Sequence, residues 1–201
     1  MNCDRIAGLY RWMEYAVFGH ALERRRVAFL NEASEARRVL ALGDGDGRAL
    51  TALLAAAPHA CVDYVDVSAK MLELARARAG TDRVNYSRAD ARLLKVRECE
   101  YDVIVTHFFF DCFNDAELST LVEKMARTVA PPARWIVSEF RPSNAPAKLL
   151  IAIMYAFFRG AAGLATRRLS DHHPHLLRNG FRLQRVEKAW VGMLASELWV
   201  R

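Results

Sequence analysis

Short apolar runs alternate with amphipathic stretches along most of this 201-residue chain. The runs fall at residues 39–42, 61–66, 84–86, 101–106 and 134–140. Continuous apolar runs of this length read as buried strands. Between them, residues 49–57, a stretch opened by Ser68, and residues 115–129 read as helices. Ser68 is a fair N-cap, and Asn114 or Asp115 caps the third helix. Leu118, Leu121, Val122, Met125 and Val129 share one face of that helix, and Pro131-Pro132 stops it. Two further strands, 181–190 and 193–201, close the chain. The alternation predicts an α/β fold with parallel strands.

Two segments stand outside that alternation. Residues 4–33 read as helical, since Ile6, Leu9, Tyr10, Met13, Val17 and Phe18 recur at three- and four-residue spacing. Gly19 breaks the segment, and a second helix runs over 21–30. Residues 147–164 are strongly apolar, but Lys148 and Arg159 interrupt them. The uncharged part, about ten residues, is shorter than the roughly 20 needed to span a bilayer.

The candidate chemistry begins where the first strand ends. Gly43, Gly45 and Gly47 alternate after it, removing Cβ atoms where the backbone turns sharply and a ligand comes close. The helix that follows aims unpaired N–H groups at that ligand. A dinucleotide turn would read G-x-G-x-x-G, yet Arg48 stands where its third glycine belongs. The second run ends in Asp66, a carboxylate able to accept both hydroxyls of a ribose.

The G-x-G-x-G turn, Asp66, Met71, Ala89-Asp90-Ala91 and the Thr106-His107 strand tip together resemble the class I S-adenosylmethionine (SAM) methyltransferases. The resemblance implies a seven-stranded, doubly wound mixed sheet of order 3-2-1-4-5-7-6, the last two strands forming an antiparallel hairpin. It implies SAM as cofactor, held by Gly43, Asp44, Gly45, Gly47, Asp66, Val67, Met71, Ala89, Asp90, Ala91, Thr106 and His107. In that family Met71 would pack on the adenine, Asp90 would lie near its amino group, and the tip at His107 would face methyl donor and substrate. One departure is Ala41, where the family has an acid that helps to hold the methionine ammonium. Asp44 is expected to take over part of that work. The whole chain is expected to be one domain, with residues 1–33 as a helical lid and 141–179 as a helical insertion over the substrate side.

Composition adjusts this picture. The chain carries a net charge of +6, but its arginines are scattered among acids. The tight clusters Arg24-Arg25-Arg26 and Arg167-Arg168 are expected to be solvated faces, which disfavours nucleic acid. The Asn/Asp-Pro-Pro-aromatic motif of amine-methylating relatives is replaced by Thr106-His107-Phe108-Phe109. Cys3, Cys61, Cys99 and Cys112 show no C-x-x-C spacing, and Cys61 is expected in a buried strand. His172, His173 and His175 lie in a short segment that Ser170 or Asp171 caps and Pro174 opens, so no metal is expected there. The N-terminus lacks a signal-peptide pattern, and cytoplasmic residence is expected.

His107 and Asp111, just past the fourth strand, are candidate proton acceptors; the competing readings are a strand end and a turn cap. Tyr10, Trp12, Tyr15, Phe108, Phe109 and Tyr155 are the substrate and lid candidates, although the N-terminal aromatics also suit simple anchoring of their helix. The 147–164 helix could roof a pocket, face a membrane or second subunit, or be core. The expected reaction is methyl transfer from SAM to a small, partly apolar acceptor by a monomer or homodimer. The alternatives are an RNA or protein methyltransferase, and a non-catalytic SAM-binding or membrane-associated partner domain.

Overall fold

The computed structural model describes residues 7–95, 97–162, 166 and 169–201, with the side chains of 7–11, 13, 158, 161 and 162 outside the description. Helices α1 (Ala7–Phe18) and α2 (Ala21–Val27) precede β1 (Arg38–Leu42). Then follow α3 (Arg48–Ala56), β2 (Cys61–Asp66), α4 (Ala69–Ala79), β3 (Val84–Arg88), β4 (Tyr101–His107), α5 (Asp115–Ala126) and β5 (Val129–Phe140). Helices α6 (Ala145–Ala162) and α7 (His173–Arg178) lead to β6 (Arg182–Ala189) and β7 (Leu194–Val200).

The strands form one sheet of order β3-β2-β1-β4-β5-β7-β6, the order that the family resemblance implies. The first five are parallel, and β7 runs antiparallel between β5 and β6. Period-two alternation sorts the side chains into two cores. Leu40, Leu42, Ile104, Trp135 and Trp199 meet α5 and α7 on one face. Val39, Ala41, Val103, Val105, Ile136 and Leu198 meet α3 and α4 on the other. Ala41 is therefore core, and an acid there would be buried among apolar side chains.

The helix starts follow local chemistry. Ser68 Oγ accepts from Met71 N at 3.1 Å, and Asn114 and Glu117 form a reciprocal capping box on α5. α5 ends earlier than its apolar pattern suggests, because Val129 already pairs with Tyr101 and opens β5. Cys61 is exposed rather than buried, since it is the first residue of β2, at the rim of the sheet.

α6 divides its apolar residues. Ala147, Ile151 and Tyr155, spaced four apart, pack on Phe18, Leu22, Phe140 and Leu194 in a third cluster. Leu149, Ile153 and Phe157 point the other way and are exposed. No helix among the described residues is long and apolar enough to cross a membrane.

Candidate active site

The carboxyl ends of β1, β2 and β4 meet in one cleft, the usual ligand position of an open α/β sheet. At the β1 tip, Gly43 N donates to Val65 O at 2.8 Å before the chain turns away. Gly43 and Gly47 have φ of +62° and +79°. A Cβ on Gly43 would stand 2.2 Å from Phe109 Cδ2, and one on Gly47 would stand 2.6 Å from Ala75 Cα. Both positions favour glycine for backbone conformation, and at Gly47 the backbone of Ala75 also leaves no space for a Cβ. Tyr64 Oη donates to Gly45 O at 2.9 Å and ties the loop to β2.

Asp66 closes β2 and is buried on the cleft wall. Its Oδ1 accepts from Ser68 N at 2.8 Å. Burial pushes this carboxyl up to about 6; the backbone N–H groups of Ser68, Gly45 and Val67 oppose the rise, and the nearby Asp44 adds to it.

His107 ends β4 and is buried, with Nδ1 2.8 Å from Asp44 Oδ1. An ionised carboxylate only accepts, so Asp44 selects the tautomer with the proton on Nδ1. That leaves a lone pair on Nε2, which is buried without a hydrogen-bond partner among the described residues. Val67, Met71, Ala89, Asp90 and Ala91 line the same cleft, with Phe108 and Phe109. Asp90 is held by Arg92, which keeps its carboxyl below the ordinary value.

Three expected residues are placed elsewhere. Thr106 faces away from the cleft and accepts from Trp135 Nε1 at 3.0 Å, because successive residues of β4 point to opposite faces. Asp111 lies off the cleft wall, although its neighbours Cys112 and Phe113 are on it. Burial pushes its carboxyl up to about 6, and its main-chain oxygen accepts from Tyr155 Oη and Thr166 Oγ1, each at 3.0 Å. Tyr155 therefore buttresses the turn after β4 instead of lining the cleft.

The N-terminal helix contributes differently from the expected aromatic lid. Trp12 and Tyr15 are exposed and border a separate depression, and the side chain of Tyr10 lies outside the described residues. The contributing residue is Glu14. Its Oε1 takes Arg26 Nη2 at 2.5 Å, and its Oε2 takes Arg48 Nη2. Arg48 also donates to Asp46 and Glu23, each at 2.9 Å. Arg26 is buried on the cleft wall, so the Arg24-Arg25-Arg26 cluster is not simply a solvated face. Long-range pairing of this kind carries no signature in local sequence.

Glu139 escaped the sequence reading for the same reason. It is buried, and its Oε1 accepts from Phe109 N at 2.6 Å and Phe110 N at 2.8 Å. Burial pushes its carboxyl well above the ordinary range, with Asp111 adding to the effect. This acid fixes the turn that sets Phe109 over Gly43.

The histidine segment forms a second polar cluster. His172 Nε2 lies 2.8 Å from Glu197 Oε2, and His173 Nε2 lies 2.9 Å from Oε1. These donor atoms are close enough together to hold a metal ion. However, Arg141 Nη2 sits 3.1 Å from His173 Nε2, and Trp199 Nε1 donates to Glu197 at 2.9 Å. A guanidinium so near supplies the positive charge a metal would bring. The two histidines outweigh burial and hold the Glu197 carboxyl well below its usual range. His175 pairs with Asp115 instead.

The cradle at Gly43 and Gly47, an acid at the β2 tip, buried Asp44 and the unpartnered Nε2 of His107 suit a cationic nucleoside ligand. A parallel sheet closed by a β5-β7-β6 antiparallel edge, with this turn and this acid, defines a Rossmann-like methyltransferase fold. Residues 39–132 match a family model described as "Methyltransferase domain". A malonyl-[acyl-carrier protein] O-methyltransferase of Priestia megaterium is 31% identical over 102 residues, which cover 51% of this chain and 36% of that protein. A demethylmenaquinone methyltransferase of Clavibacter sepedonicus is 33% identical over 110 residues, covering 54% and 43%. The chain thus spans less than half the length of these two curated relatives. A SAM-dependent methyltransferase structure from Mesorhizobium loti shares the fold with a TM-score of 0.69 at 20% identity, covering 91% of this chain and 97% of that one. Residues 39–132 are thus similar to methyltransferase domains, the fold is shared with a SAM-dependent methyltransferase, and the cleft's features suit SAM as the ligand.

Proposed function

We propose that the chain, as a single domain, transfers a methyl group from SAM to a small, partly apolar acceptor, with His107 as the proton acceptor. The observation that carries this reading is that Nε2 of His107, a residue of the cleft wall, is buried with no hydrogen-bond partner among the described residues, while Asp44 holds Nδ1. Bound SAM supplies an electrophilic methyl on a sulfonium. Asp66 would hold the ribose hydroxyls, Met71 the adenine, and Asp44 would face the cationic end while orienting His107. Phe108 and Phe109 wall the cleft with apolar surface that excludes water. His107 Nε2 would take the acceptor's proton, a role worth about 10²–10⁴ in rate.

The relatives named for malonyl-acyl-carrier-protein and demethylmenaquinone methylation are compatible with such an acceptor. The charge on the wall argues against RNA. Arg26, Arg48 and Arg92 are each paired with carboxylates, so none is left to meet a phosphate.

The test is calorimetric titration with SAM, S-adenosylhomocysteine and NAD on wild type and Asp66→Ala, followed by transfer of labelled methyl to acceptor pools. SAM binding that is lost in Asp66→Ala, with label in a small product, supports the reading. NAD binding alone overturns it. SAM binding without product from any pool favours the non-catalytic binding domain.

A further inference from the structure

One face of the molecule is built against the usual rule for surfaces. Leu149, Ile153 and Phe157 recur every fourth residue of α6 and are 64%, 57% and 47% exposed. Small residues, Ala152, Ala156 and Gly160, fill the same exposed side. A single exposed leucine needs no explanation, but a stripe along an 18-residue helix does. The buried stripe of Ala147, Ile151 and Tyr155 already anchors α6, so Leu149 and Ile153 add exposed apolar surface beyond that anchor.

The turn between β6 and β7 adds a second, independent observation. Trp190 and Val191 have φ of +51° and +50°, conformations that a tryptophan or a β-branched residue rarely adopts. Val191 is nonetheless 89% exposed and Trp190 is exposed beside it. Val191 O accepts from Ser143 Oγ at 3.2 Å and Asn144 Nδ2 at 3.3 Å, and Asn144 Oδ1 accepts from Ala147 N at the start of α6. The turn is thus tied to the first residues of the helix. Trp190 packs its ring 5.0 Å from that of Phe18, whereas backbone strain that presents Val191 to water points to a contact made elsewhere.

The charge around this face identifies the partner. Between Glu139 and Asp171 the sequence has no acidic residue, and α6 itself carries two cations, Lys148 and Arg159. Lys148 and Arg159 are exposed near the two ends of the α6 stripe. An apolar stripe bounded by cations, without acids, is the pattern of a helix that lies in the interface of an anionic bilayer. Tryptophan beside it suits the headgroup level.

We propose that α6 and the Trp190–Val191 turn dock this protein on an anionic lipid surface. Leu149 and Ile153 enter the acyl boundary, while Lys148 and Arg159 stay among the headgroups. The contact is peripheral, and it does not depend on the acceptor or on the catalytic role of His107.

The test is co-sedimentation of the full chain with vesicles of phosphatidylcholine alone and of phosphatidylcholine with about a third phosphatidylglycerol. Binding to the anionic vesicles is expected to exceed binding to the neutral ones and to weaken as salt rises. Leu149→Ser with Ile153→Ser, both at exposed positions, should lower the partition coefficient about tenfold. Lys148→Glu should lower it as well, and Leu177→Ser on exposed α7 should not. Circular dichroism and SAM titration on each variant separate lost docking from lost folding. Equal binding to both vesicle types, or binding indifferent to the α6 substitutions, overturns the proposal. So does a concentration-dependent dimer that the same substitutions dissolve, which would make this face a self-interface.

Discussion

Asp44 Oδ1 lies 2.8 Å from His107 Nδ1, joining the turn after β1 to the tip of β4 across the cleft. Both side chains are buried. The pairing gives Asp44 a task that a turn-forming aspartate would not have. It fixes the imidazole ring and its tautomer, and it leaves the buried Nε2 as the ring nitrogen with no partner among the described residues.

Replacing His107 with alanine should therefore lower turnover by about 10²–10³ while SAM affinity changes less than about threefold. Asp44→Asn should also lower turnover, since an amide no longer demands the Nδ1–H tautomer. If Asp44 also faces the ammonium, Asp44→Asn should weaken SAM binding more than His107→Ala does. Steady-state kinetics with calorimetry on both variants checks this. Unchanged turnover in His107→Ala would remove the base.

Asp66 predicts opposite pH trends for stability and for binding. Its native carboxyl is pushed up to about 6, above the ordinary carboxylate range. Between those values the native state holds a proton that the unfolded chain has released. Asp66 therefore destabilises the free protein at neutral pH, and stability from this group rises as pH falls through about 6. A shift of about two units sets an upper scale of roughly 3 kcal/mol. Ribose binding needs the ionised acceptor, so affinity for S-adenosylhomocysteine should fall over the same window. Asp66→Asn should flatten both trends in parallel calorimetric and denaturant titrations from pH 5 to 8. A wild-type affinity independent of pH would remove Asp66 from the ribose site.

How far the sequence carried this picture depended on whether each feature is local. The strands and the glycine turn are encoded in short runs and spacings and were legible, whereas the strand order came with the family those motifs resemble. Thr106 was misplaced because its position at a strand tip was read without its side of the sheet. Asp111 and Tyr155 were misplaced because the turn after β4 faces both the cleft and α6, and sequence does not say which. Glu14 and Glu139 act on partners 34 and 30 residues away, through contacts that only the fold creates. Arg26 was read as a surface charge because its partner, Glu14, lies on another helix.

The three turn glycines should not respond alike to alanine. Gly45 has φ of +75° but nothing near its absent Cβ, so Gly45→Ala meets only backbone strain, about 1–2 kcal/mol. Gly47→Ala must also push α3 from Ala75 on α4, where backbone atoms cannot yield, and should lose about 3 kcal/mol or more. Gly43→Ala collides with the Phe109 ring, which can move, so its larger effect should be on cofactor binding. Urea denaturation and S-adenosylhomocysteine titration of the three variants give the ranking. Equal destabilisation at Gly45 and Gly47 would show that α3 and α4 are not tightly packed there.

Glu14 tests whether the N-terminal helix belongs to the site. Its carboxylate bridges two arginines of the cleft wall, and the side chains of all three residues are largely buried. Removing one partner of a buried pair leaves charge without compensation. Arg48 keeps Asp46 and Glu23, which softens the loss. Glu14→Gln should therefore destabilise by about 2 kcal/mol, a Tm drop of roughly 4–8 °C for a chain of this size. Glu32, paired with exposed Arg185 on the surface, provides the contrast, and Glu32→Gln should change stability by less than about 1 kcal/mol. Because Arg48 opens α3 directly after the glycine turn, Glu14→Gln should also weaken S-adenosylhomocysteine binding, whereas Glu32→Gln should not. Loss of stability without loss of affinity would make α1 a brace for the fold. Loss of both would make it a working wall of the cofactor cleft, acting through charge and not through the aromatic residues that its sequence advertises.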